Sequence, residues 1–154
     1  MTSPMSKWTQ VLAGAAVVCG ICGWAAVTSA VHAQEGSGLW AGVYADAQAK
    51  RGEGIANKAC VACHGSELAG GEAGPALSGL EFIGNWSGLS LGDLFDRIIS
   101  TMPADAPRSL SPQDTIDIIS YVLKLNKFPA GQKDLSTDAT ALGGLKIDST
   151  PPPK

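Results

Sequence analysis

Apolar side chains recur at helical spacing in two stretches, run unbroken in a third, and are sparse in a fourth that still favours helix. From Leu91 the apolar positions are Leu91, Leu94, Phe95, Ile98 and Ile99, the spacing of a helix with one buried face. Ser90, with Asp93 three residues on, has the form of a capping box that opens this helix. Its end is expected at Thr101-Met102-Pro103, because the residue before a proline disfavours helical geometry. Ser111 followed by Pro112 is a second start signal. The helix it opens is predicted to run to about Asn126, with Ile116, Ile119, Tyr121, Val122, Leu123 and Leu125 mostly inward. Earlier, Asp46 to about Ala59 is rich in Ala, Gln, Lys, Arg and Glu, which are good helix formers. Gly52 and Gly54 interrupt that stretch. A glycine inside a helix costs about 1 kcal/mol relative to alanine, so close passage of another helix is expected there, with Tyr121 packed on the glycines.

Between these elements the pattern breaks down. Gly65, Gly70, Gly71, Gly74, Pro75 and Gly79 make an irregular loop that cannot build a core alone but can lie close against a flat partner. Residues 34–43 form a Gly-rich arm with Leu39, Trp40 and Val43 as anchors, next to Tyr44. Past Phe128-Pro129 the chain turns polar; Leu142, Leu145 and Ile147 are positioned to pin part of this tail, and its Pro-rich end is expected to be disordered.

The unbroken apolar run, from Val11 to about Val31, follows the single charge Lys7 and ends in Val31-His32-Ala33. That is the form of an export signal, with cleavage expected before Gln34. The run is also long enough to span a bilayer, which leaves an uncleaved anchor open. The resulting division is a signal segment 1–33, an arm 34–43, one domain 44–130 and a partly disordered tail 131–154. Without the signal segment, ten basic residues face fourteen acidic ones, a net charge of −4. This is too acidic for a nucleic-acid binder, whose phosphate contacts need clustered Lys and Arg.

Composition sharpens the chemistry. Of four cysteines, two histidines and three methionines, only Cys60, Cys63, His64 and Met102 lie beyond the signal segment. Cys60-Val61-Ala62-Cys63-His64 has the spacing that attaches a c-type haem. Each thiol adds across one porphyrin vinyl group, and the following histidine comes onto one axial face of the iron. Cys19-Gly20-Ile21-Cys22 lacks this property, since Gly23 stands where the histidine belongs. A structural zinc site needs four protein ligands, and a thioredoxin-like redox pair follows a strand in a βαβ unit; neither context is present. Two buried cysteines that merely sit near a histidine are the bland alternative.

Met102 is the one candidate for the opposite axial position, because no second histidine remains. A lone methionine is more often core filler, but this one follows a capped helix and precedes a stiffening proline. In Gly74-Pro75-Ala76-Leu77, the Pro75 carbonyl is placed to accept the Nδ1 proton of His64, with Leu77 on the haem face; an ordinary surface turn is the equal alternative.

Taken together, residues 43 to 130 resemble a class I c-type cytochrome of the bacterial periplasm: Gly52 eight residues before Cys60, CVACHG, GPAL, a Trp-containing stretch, Thr-Met-Pro, and a last helix carrying Tyr121. The flanking Val43-Tyr44-Ala45-Asp46-Ala47-Gln48-Ala49 and Phe128-Pro129-Ala130-Gly131 are similar to cytochrome modules associated with quinoprotein dehydrogenases. The resemblance implies an all-α fold, three main helices and Gly-rich loops around one covalently attached haem c. It implies that His64 and Met102 ligate the iron, that Pro75 orients His64, and that Trp86 donates its indole proton to a haem propionate. One departure is Ala56, at a first-helix position that is often aromatic in the family, where Ile55 is placed to compensate.

A His/Met pair fills both axial positions and raises the potential, which suits a one-electron carrier rather than an enzyme. The implied partners are redox proteins: a quinoprotein dehydrogenase as donor, a terminal oxidase or another cytochrome as acceptor, and a membrane only if the leader stays uncleaved. The rival is a haem enzyme or gas sensor, with Met102 as core filler and an open distal site.

Overall fold

A computed structural model describes residues 38–151, all within one structural unit. Residues 1–37, with Cys19, Cys22 and His32, and Pro152, Pro153 and Lys154 at the other end, lie outside the described residues. The helices are α1 (Asp46–Ala59), α2 (Val61–His64), α3 (Gly79–Trp86), α4 (Leu91–Thr101), α5 (Pro112–Leu125) and α6 (Ala139–Gly144). Among the described residues there is no β-strand, only two isolated bridges, Ala45 with Gly131 and Ser90 with Lys146. The expected all-α fold is therefore present, with α1, α4 and α5 as its long helices.

Local chemistry accounts for the helix ends. The Ser90 hydroxyl accepts from the Asp93 backbone N–H at 3.1 Å and the Asp93 carboxylate accepts from the Ser90 N–H at 2.7 Å, so two otherwise unpaired groups at the start of α4 are satisfied reciprocally. At the start of α5 the Ser111 hydroxyl accepts from the Asp114 N–H at 3.0 Å, and Pro112 occupies the first turn, where its missing N–H costs nothing. α4 stops where expected: Met102 has φ −118° and ψ 152°, extended backbone ahead of Pro103.

α5 was expected to bury one face; it buries every residue from Thr115 to Leu123. α1 packs along one side and α4 along another. The polar groups this encloses are paired. Ser120 donates to the Ile116 carbonyl at 3.0 Å and Thr115 to that of Ser111 at 2.9 Å. Asp117 accepts from Arg51 Nε and from Gln113 Nε2, each at 2.8 Å.

Gly52 is where α1 and α5 cross. A Cβ built there would lie 1.8 Å from the Asp117 carbonyl oxygen and 2.9 Å from the Ile118 nitrogen, so the nearest neighbour is α5 backbone. The close helix passage expected at Gly52 is made by this α5 backbone, and Tyr121 lies a turn further along α5. A Cβ on Gly54 would meet nothing within 4 Å, so that glycine has no packing role. Beyond α5, Leu135, Leu142 and Ile147 are buried in the same core as Leu91 and Leu94.

Candidate functional site

The turn Cys60–His64 closes directly off the end of α1, with the Cys60 N–H donating to the Ala56 carbonyl at 2.8 Å and the His64 N–H to that of Cys60 at 2.9 Å. His64 is buried at 8 % exposure. Its Nδ1 lies 2.7 Å from the Pro75 carbonyl oxygen. A carbonyl only accepts, so Nδ1 carries the proton and Nε2 keeps its lone pair. No described group hydrogen-bonds Nε2.

The loop that supplies Pro75 fits tightly against this turn. A Cβ on Gly74 would come within 3.1 Å of His64 Cε1 and Nδ1 and 3.2 Å of the Cys63 carbonyl oxygen. Two further bonds anchor the loop to α5: the Asn126 side chain donates to the Leu77 carbonyl at 3.0 Å and accepts from the Gly79 N–H at 2.9 Å. Sequence reasoning did not single out Asn126. The only signal was a polar residue at the expected end of α5, where many roles are equivalent.

Six of the seven predicted site residues, Cys60, Cys63, His64, Pro75, Leu77 and Met102, line one cavity of about 330 Å³, within the range of small-molecule and cofactor sites. Trp86 is not among its lining residues; it stacks on the buried Phe82 with ring centroids 6.1 Å apart. Ile98 and Leu110 also line the cavity and were not singled out beforehand as site residues. Ile98 stands one helical turn before Met102, a spacing that shares a face. Leu110 is a lone apolar residue in a polar loop, with no periodicity to betray it.

Lys58 and Asp105 are the charged side chains of the lining. Burial pushes the Cys60 thiol above its ordinary value and neighbouring Cys63 adds to the shift, so Cys60 is held as the neutral thiol. Two thiols, an imidazole with a free Nε2 and a thioether around a mostly apolar cavity suit a flat, covalently tethered iron cofactor. The same donors do not make a hard-cation site: among the described residues no cluster of His, Cys, Asp and Glu could hold a metal ion directly.

Residues 47–122 match the family described as cytochrome C oxidase, cbb3-type, subunit III. No curated protein matches the chain significantly. Among solved structures the chain is similar to the sulfane dehydrogenase SoxCD from Paracoccus pantotrophus, with 19 % identity and a TM-score of 0.48 over 64 % of this chain. It covers 52 % of that chain, about half its length. The family match runs from the start of α1 into α5 and takes in every cavity-lining residue, so sequence kinship and geometry concern the same structure. The matched residues 47–122 form a class I c-type cytochrome domain, the kind that serves in electron transfer and holds iron in a covalently attached haem c.

Proposed function

We propose that the protein is an exported one-electron carrier, its single haem c anchored by Cys60 and Cys63 and ligated by His64 and Met102. The observation that carries this reading is that these four side chains line one cavity although Met102 lies far from the others in the chain. Bound haem c supplies a ferric/ferrous couple that takes up and releases one electron. The chain does the rest. The Pro75 carbonyl fixes the His64 tautomer and makes the imidazole a stronger donor. Leu77, Ile98 and Leu110 give the cavity an apolar lining. A thioether from Met102 leaves no position open for substrate and favours the ferrous state. The Trp86 indole N–H, which has no hydrogen-bond partner among the described residues, is the proposed donor to a propionate.

Residues 1–33 are the proposed leader to the periplasm; among the described residues no helix is long and apolar enough to cross a membrane. The proposed donor is a quinoprotein dehydrogenase and the proposed acceptor a terminal oxidase or another cytochrome, on the strength of the sequences flanking the domain. The absorption spectrum of the oxidised protein tests the ligation. A weak band near about 695 nm is expected from a thioether on low-spin ferric iron, and Met102→Ala removes it. Its absence from the wild type would remove Met102 from the site.

A further inference from the structure

The family match ends at residue 122, yet residues 131–148 are folded onto the domain. Their attachment has two parts. The first is on α1: the Gly131 N–H donates to the Tyr44 carbonyl at 2.7 Å, and the Gln48 side chain grips both backbone groups of Leu135, donating to its carbonyl at 3.0 Å and accepting from its N–H at 2.6 Å. Arg51 adds an ion pair to Asp134 at 2.6 Å. The second is on α4. Asp138 caps α6, which packs on α4 about as extensively as α5 does. Past α6 the chain pairs with the start of α4: the Leu91 N–H donates to the Leu145 carbonyl at 2.9 Å, and the Ile147 N–H to that of Leu89 at 2.8 Å. Ile147 is fully buried, Leu142 is 1 % exposed, and the Trp40 indole N–H donates to the Asp148 carbonyl at 3.1 Å.

The consequence concerns the two sides of the cavity. His64 hangs from α1, which pairs extensively with α5, whereas Met102 leaves the end of α4, whose helix partners are α5 and α6. The C-terminal segment therefore bridges the element that carries one ligand-bearing end to the element that carries the other. We infer that residues 131–148 are a strap that seats α4, and that Leu142 and Ile147 are positioning residues which set how firmly Met102 holds the sixth position on the iron. This rests on the reading of Met102 as a ligand.

The test is the binding of imidazole to the ferric holoprotein, followed by loss of the band near about 695 nm. Apparent affinity for an added ligand scales with the fraction of molecules whose sixth position is free. Ile147→Ala is expected to tighten imidazole binding about tenfold, because it raises that fraction about tenfold. Ile118→Val, which deletes one buried methylene where α5 crosses α1 at Gly52, is expected to lower thermal stability while leaving imidazole affinity unchanged. Trp40→Phe removes the bond to Asp148 and shortens the ring that packs on Phe128 at 4.9 Å, and is expected to tighten binding about threefold by the same relation, so the proposal stays testable if Ile147→Ala gives no holoprotein. Unchanged affinity in Trp40→Phe, or equal tightening in Ile118→Val, would overturn the strap. Absence of the band from the wild type would instead overturn the ligand reading on which it rests.

Discussion

His64 shows how much of the site one backbone carbonyl determines. Its Nδ1–H donates to Pro75, so the ring is held in the tautomer whose Nε2 can bind metal, and the bond raises the basicity of that nitrogen. Gly74→Ala tests this, since its Cβ would press on the ring at 3.1 Å. The variant is expected to lose about 1 kcal/mol of stability from overpacking. It should also have a raised reduction potential, because a weaker Nδ1–H bond leaves the imidazole a poorer donor to ferric iron. Potentiometry and thermal melts measure both, and no change in either would remove the proposed link between the loop and the iron. A second residue-scale prediction concerns pH. Backbone and side-chain hydrogen bonds from Ser90 hold the Asp93 carboxyl below its ordinary value of 3.8. A lowered value means stability that is present above the ordinary value and lost as pH falls through the lowered one. Wild type should therefore lose its advantage in melting temperature over Asp93→Asn as pH is taken below about 4. An advantage that persists at the most acid pH would contradict the capping role.

Among the helices, the two glycines of α1 have opposite meanings. Gly52→Ala must push α1 off the α5 backbone, and is expected to cost on the order of 3 kcal/mol. Gly54→Ala meets open space within a helix and is expected to stabilise by about 0.5–1 kcal/mol. Denaturant melts of the two variants check the pair, and equal effects would contradict the crossing. Both glycines stood out in the sequence, but only their neighbours tell them apart. α4 and α5 were legible because caps and periodicity agreed, and α1 from its helix-forming composition alone. α3 was not: Ser78 at its start makes no side-chain cap bond and glycines break its pattern. α6 is six residues of mostly small side chains, capped by an Asp138 that resembles any polar tail residue. The strap was legible only as three apolar pins, since most of its attachment is through backbone groups that carry no sequence signature.

For the molecule as a whole, the site was more legible than the fold. The spacing Cys60-Val61-Ala62-Cys63-His64 identifies its chemistry in five residues, and elimination singled out Met102 because few residue types ligate iron. Ile98, Leu110 and Asn126 came only with the structure, because apolar lining and loop anchoring use residue types that occur everywhere. The outcome is a cavity lined both by the turn that follows α1 and by the segment that follows α4, with both helices packed on α5. Electron transfer without substrate chemistry requires that neither axial position be free. Carbon monoxide binds ferrous iron wherever the sixth position is open, so adding it to the reduced wild-type holoprotein at neutral pH is the most direct measurement. An unchanged spectrum is expected from the wild type and a rapidly formed carbon monoxide complex from Met102→Ala. Ready binding by the wild type would contradict this and make the distal site an open one.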